Sequence, residues 1–223
     1  MACEEHLKLS SFIKNVHKDL RTSSHEDSVE QAWRDHLDNE ELLRMYAETM
    51  KQLATQHWSD DTDQNSRINW IHREISQYFF EGGRHHELMR DYKFAKRKDV
   101  NIVDDNQSKE SESKVRVIDV GSCFDPFSSF EQLDVLAVDI APACSTVKKC
   151  DFSNIEVNDR TEICDNTVKS LEAGSFQSVI FCLLLEYLPS SGQRYHCVDT
   201  AVQLLTQDGL LCIVTPDSSH QAK

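Results

Sequence analysis

Glycine is scarce in this chain, six residues in 223, and no two of them stand in a Gly-x-Gly-x-x-Gly repeat. That absence argues against a dinucleotide cradle, in which a pyrophosphate approaches successive glycines at a helix N-terminus. Positive charge is scarce too: 24 Lys+Arg stand against 38 Asp+Glu, a formal charge of −14, with the acid excess present in both halves. A protein that grips a phosphate backbone normally carries a basic face, so nucleic acid is a disfavoured partner. The eight cysteines form no Cys-x-x-Cys pair and no Cys/His cluster at zinc-ligand spacing, which leaves no structural metal site to expect. No stretch approaches the roughly 18 apolar residues of a membrane span, and the N-terminus has no apolar signal core. These absences read as a reduced, soluble, cytoplasmic protein.

What is present is a globular composition, 39% hydrophobic and 28% charged, long enough for one medium domain and an appendage. Over residues 4–21, Leu7, Phe12, Ile13, Val16 and Leu20 recur at helical spacing. The polar stretch 22–28 reads as a break whose serines cap the next helix. That second helix carries Val29, Trp33, Leu37, Leu42, Leu43, Tyr46, Met50, Leu53 and Trp58, with room for a break near Asp38 and Asn39. A third, from Ile68 to Phe80, is stopped by Gly82 and Gly83. The basic run from Lys93 to Lys98 and the pair His85 and His86 fit a solvated helix face. Trp33, Trp58 and Trp70 have the spacing of helix-core residues, and Trp58 or Trp70 could also wall a pocket.

From residue 114 the pattern changes. Apolar runs at 115–120, 133–140, 178–185 and 209–215 are strand candidates, and helical patterns at 157–171 and 193–205 separate some of them. Strands buried on both faces and joined through helices imply a doubly wound parallel sheet, an α/β Rossmann-like fold. The expected plan is a helical domain over 1–98, an acidic linker over 99–113 and a Rossmann-like domain over 114–223.

Open parallel sheets bind ligands beyond the carboxyl ends of their strands. After the first strand comes Asp119-Val-Gly121, and Gly121 lets a ligand approach the backbone. Asp139 ends the second strand, where an acid accepts the hydroxyls of an adenosine ribose. Cys150-Asp151-Phe152 follows, with Asp151 suited to an adenine amino group and Phe152 to the ring beside it. Cys182 ends a later strand. The turn after Gly121 holds Cys123, Asp125 and Pro126, a carboxylate and a ring where a diphosphate would sit. S-adenosylmethionine has no phosphate and carries a sulfonium cation, so such a turn tolerates it.

These residues, with Val138-Asp139-Ile140-Ala-Pro142, Phe181-Cys-Leu-Leu-Leu-Glu-Tyr-Leu-Pro189, Thr215-Pro-Asp-Ser-Ser-His-Gln221, Trp33-Arg-Asp-His36 and Arg67-Ile-Asn-Trp70, resemble the SAMTOR family of S-adenosylmethionine sensors in the TOR pathway. Its fungal relative is a large-subunit ribosomal RNA adenine methyltransferase. The resemblance implies a helical domain packed on a class I methyltransferase-like domain, with S-adenosylmethionine or S-adenosylhomocysteine between them. Gly121 would form the turn, Asp139 would hold the ribose, Asp151 and Phe152 would read adenine, Arg67 would meet the methionine carboxylate or ribose, and Cys182 would stand where relatives have serine. It also implies GATOR and KICSTOR complexes as partners, engaged by the ligand-free protein to restrain TOR signalling, with recruitment to the lysosomal surface through them. An RNA or small-molecule methyltransferase remains the alternative, although the loop Cys182-Leu-Leu-Leu-Glu-Tyr187 lacks the Asn/Asp-Pro-Pro-aromatic pattern of adenine amino methyltransferases. A full methyltransferase fold continues beyond His220 through another helix and an antiparallel strand pair. The expectation is therefore a C-terminally truncated sheet of five strands with an unpaired edge.

Overall fold

The apolar spacing of the first half becomes five helices in the computed structural model, which describes residues 4–26, 28–58, 66–98 and 114–216. They are α1 (Glu4–Glu26), α2 (Val29–Asp38), α3 (Glu40–Leu53), α4 (Arg67–Phe79) and α5 (Gly83–Arg97), and α3 continues as one π-helical turn over Ala54–Trp58. The expected break at 22–28 is shorter than its composition suggests. Thr22 and Ser24 turn their hydroxyls back onto the Lys18 and Leu20 carbonyls, so these polar residues stay within α1. Ser28 caps α2 by accepting from the Gln31 amide, and Asn39 separates α2 from α3 and caps the latter through the Leu42 amide. In α5 only Ala95 is buried; its basic end is solvated, with Lys96 and Arg97 in the last turn, where cations suit the helix dipole.

The second half is a sheet of eight strands among the described residues: β1 (Val115–Val120), β2 (Leu133–Asp139), β3 (Lys148–Lys149), β4 (Glu156–Asn158), β5 (Glu162–Cys164), β6 (Thr167–Glu172), β7 (Phe176–Cys182) and β8 (Leu205–Val214). Their order is β4-β6-β3-β2-β1-β7-β8, with β5 beside β6. All pairs are parallel except β5 with β6. The fold is α/β and Rossmann-like, with β8 bonded only to β7 among the described strands.

Two expectations are corrected here. The sheet has eight strands where five were expected, and residues 157–171 form strands where a helix was expected. The reason lies at Asp165 and Asn166, whose φ values of 48° and 62° make a two-residue turn between Cys164 and Thr167, which pair across it. That turn matches the twist of a hairpin, and the β-branched Thr167 and Val168 beyond it suit a strand. The acidic linker 99–113 lies outside the described residues.

The link from β7 to β8 runs through α6 (Ser191–Leu204), which starts on a capping box between Ser190 and Gln193. No such helix joins β1 to β2, only a 3-10 turn at Pro126–Ser129. The first half supplies the missing cover. Ile71 and Ile75 of α4 are fully buried in one cluster with Val115, Val117, Phe127, Leu133 and Ile180. On the other side Leu20 of α1 and Trp33 of α2 join a cluster with Ile118, Val138, Phe152, Phe181 and Leu204. Helices and sheet thus share both cores, which fixes the helices over the strand ends.

Candidate functional site

At the carboxyl ends of β1, β2 and β7 the chain leaves the sheet beneath α2, α3 and the start of α4, and a cleft opens between the two layers. It holds about 1050 Å³ of space, the part open to solvent included. Arg67, Gly121, Asp139, Asp151, Phe152 and Cys182 all line it.

Gly121 leaves β1 with φ +77°, and a Cβ there would lie 3.1 Å from the Leu184 side chain. Only glycine meets both conditions without strain. The turn then passes through Cys123 and Asp125, both at left-handed φ near 60°. Asp139 stabilises it: one carboxylate oxygen accepts from the Cys123 amide at 2.9 Å and the other from the Ala141 amide at 2.8 Å. Each oxygen keeps a second lone pair, so the carboxylate can still accept from a ligand. Burial pushes Asp139 up to about 6 in spite of those two amides.

Asp151 is more fully engaged. It accepts from the Ser153 amide and hydroxyl, from the Asn154 amide group at 2.6 Å and from the Trp33 indole at 3.4 Å. A ligand amino group must displace one of these, and the long Trp33 contact is the weakest. Phe152 is buried, edge-on to Phe181 at 5.7 Å, and so belongs to the floor of the cleft more than to an open face. Arg67 begins α4 behind a cap in which Ser66 accepts from the Asn69 amide. It stands beside the Cys182 thiol, which burial pushes up to about 12 while Arg67 opposes the shift. A neutral thiol there is a weak hydrogen-bond partner at best.

Four further lining residues bear on the chemistry of the cleft: Asp119, Trp33, Tyr46 and Tyr187. Asp119 is 2% exposed, and one of its carboxyl oxygens has no hydrogen-bond partner. Burial raises it to about 7; the Ser122 hydroxyl opposes this, and the charges of Asp125 and Asp139 add to it. The signal was in the sequence, an acid inside a strand otherwise apolar at that end. Trp33 and Tyr46 had helix-core spacing, which does not distinguish a core ring from one walling a cleft. Of the tryptophans, Trp33 walls the cleft; Trp70 is 37% exposed and outside it, and the Trp58 side chain lies outside the described residues.

Among the described residues the lining carries three carboxyl groups, Asp119, Asp139 and Asp151, and one guanidinium, Arg67. That balance repels a diphosphate and favours a ligand with cationic and hydroxyl groups. Among the described residues no cluster of His, Cys, Asp and Glu could hold a metal ion, and no helix is long and apolar enough to cross a membrane.

No family model matches the chain. It is nonetheless similar along almost its whole length to curated proteins named S-adenosylmethionine sensor upstream of mTORC1. The zebrafish protein (Danio rerio) is 36% identical over 244 aligned residues, covering 99% of this chain and 62% of the relative. The protein from Xenopus tropicalis is 37% identical, again over 99% and 62%, and that from Xenopus laevis 34%, over 97% and 61%. The chain therefore spans about three fifths of the length of the relatives it matches.

Proposed function

We propose that this chain, as a relative of the S-adenosylmethionine sensors upstream of mTORC1, binds S-adenosylmethionine in the cleft between its helices and its sheet. In this reading Asp139 accepts the ribose hydroxyls, Asp151 and Phe152 receive the adenine, and Gly121 lets the ligand lie against the turn. Arg67 meets the carboxylate of the amino-acid end. Asp119 faces the cationic groups near it, the ammonium or the sulfonium. Cys182 contributes shape more than a bond.

The observation that carries this reading is the shared wall. Trp33, Tyr46 and Arg67 from the helices face Asp119, Asp139 and Asp151 from the strand ends across one cleft. A ligand touching both layers binds their closed arrangement better than an open one, and only such a difference lets it act as a signal. The protein restrains TOR signalling when ligand-free, by engaging the GATOR and KICSTOR complexes near the lysosomal surface, and releases them when ligand binds.

A methyltransferase is the competing reading. Methyl transfer needs an acceptor held in line with the sulfonium. The segment after β7 offers Leu183, Leu184, Tyr187 and Leu188 to the cleft, and the Tyr187 hydroxyl already has a partner in His36, so no polar group there is left to orient an acceptor nitrogen. Two measurements separate the readings. Under the sensor reading, S-adenosylmethionine slows amide exchange in α1–α3 and in residues 183–188, and no labelled methyl group appears in RNA or cell extract. Methyl incorporation that depends on this chain would support the enzyme instead.

A further inference from the structure

Behind the cleft's aromatic wall sit two histidines that do not reach the cleft. His17 of α1 lies 2.7 Å through Nε2 from the hydroxyl of Tyr46 on α3. His36 of α2 makes the corresponding contact with the hydroxyl of Tyr187, in the segment after β7. The four rings pack as one body: His17 is edge-on to Tyr187 at 5.4 Å, Tyr46 lies 5.1 Å from Tyr187, and His36 lies 5.6 Å from it. Trp33 adds an edge contact with Tyr187 at 6.0 Å and reaches Asp151 through its indole. Tyr46, Tyr187 and Trp33 line the cleft. Nearby, Arg21 of α1 donates to the Glu186 carbonyl at 2.6 Å, a second tie between α1 and the segment that carries Tyr187.

We infer that His17 and His36 are positioning residues, which set Tyr46 and Tyr187 as the wall of the ligand cleft and thereby couple ligand binding to the docking of α1 and α2. The inference rests on the reading of the cleft as an S-adenosylmethionine site. Its chemistry is direct. A buried tyrosine hydroxyl without a partner is costly, so each ring has one favoured placement, and the partner that defines it comes from a helix. Both imidazoles are held neutral by burial, His17 down to about 4, with the charges of Arg21 and His36 adding to that shift. A neutral nitrogen can share either partner's proton with the hydroxyl. Movement of α1 or α2 away from the sheet removes these partners and frees the wall.

Three sets of variants test it. Tyr46→Phe and Tyr187→Phe keep the ring and lose the hydroxyl. His17→Leu and His36→Leu lose the imidazole, and His17→Gln and His36→Gln keep a hydrogen-bonding group. The Phe and Leu variants are expected to bind S-adenosylmethionine about 5-fold more weakly each, as one lost hydrogen bond implies, and the Gln variants to recover most of it. In the ligand-free protein the Phe and Leu variants should exchange the amides of α1 and α2 several-fold faster. Folded Phe and Leu variants, checked by circular dichroism, that bind within twofold of the unmodified chain would overturn the inference, as would Gln variants as weak as Leu. If the unmodified chain binds no S-adenosylmethionine, the ligand reading fails, and unchanged exchange in α1 and α2 would then overturn the coupling as well.

Discussion

Replacing Asp139 with alanine is expected to lower the affinity for S-adenosylmethionine by about 100-fold, the largest single effect the cleft predicts. Two contributions combine. The carboxylate offers charge-assisted acceptors to ribose hydroxyls, each worth about 1.5–3 kcal/mol, and it holds the turn through the Cys123 and Ala141 amides. Without it those two donors lose their partner, and residues 121–125, which include two non-glycine residues at positive φ, lose the contact that fixes them. Asp139→Asn keeps the side-chain size but does not separate the two contributions. Its side chain has one acceptor oxygen and must turn an NH₂ toward one of the two amides, so it too should disturb the turn. Isothermal titration of both variants, with melting temperatures alongside, reads the result. Affinity within threefold of the unmodified chain in Asp139→Ala would remove Asp139 from the site.

Asp119→Asn should do the opposite to the fold while also harming binding. The buried Asp119 carboxyl is pushed up to about 7, against 3.8 in the unfolded chain. The folded state therefore binds a proton that the unfolded state has released between those values. Its stabilising effect is fully present below pH 3.8 and is lost as pH rises through about 7. At pH 8 the folded chain carries a buried, partly unpartnered anion, and the uncharged amide relieves this by on the order of 2 kcal/mol, a rise of several degrees in Tm. The gain should shrink steadily between pH 7 and 5. Ligand binding shows the reverse dependence: the unmodified chain should bind S-adenosylmethionine more tightly as pH rises from about 6 to 8, because Asp119 and Asp139 ionise over that range. Asp119→Asn should flatten that rise and bind about tenfold more weakly. The histidines add to the weakening on the acid side. His17, neutral in the fold down to about 4 against 6.5 unfolded, contributes stability present above pH 6.5 and lost as pH falls toward 4.

Much of this architecture is legible in the chain. Helical spacing locates α1 to α4 within a few residues, and the apolar runs locate β1, β2, β7 and β8. The six residues singled out from strand ends, turn chemistry and resemblance stand together in one cleft. What periodicity could not convey is of two kinds. The first is the hairpin around Asp165 and Asn166, where a roughly helical spacing of apolar residues outweighed a turn pair that only φ > 0 residues serve. The second is the layer arrangement. Ile71 and Ile75 show an apolar helix face but not that it covers β1 in place of a crossover helix. For the same reason Trp33 and Tyr46 read as core residues. They are core residues on one side, and the wall of the cleft on the other.

The central claim is that an acidic, glycine-poor cleft between two layers takes a phosphate-free cationic nucleoside. Calorimetric titration of S-adenosylmethionine against NAD tests it most directly, with S-adenosylhomocysteine as competitor for the shared adenosine and amino-acid ends. One S-adenosylmethionine is expected to bind per chain, displaced by S-adenosylhomocysteine, with no measurable heat from NAD. Tighter binding of NAD than of S-adenosylmethionine, or no binding of S-adenosylmethionine to a chain shown to be folded, would contradict it.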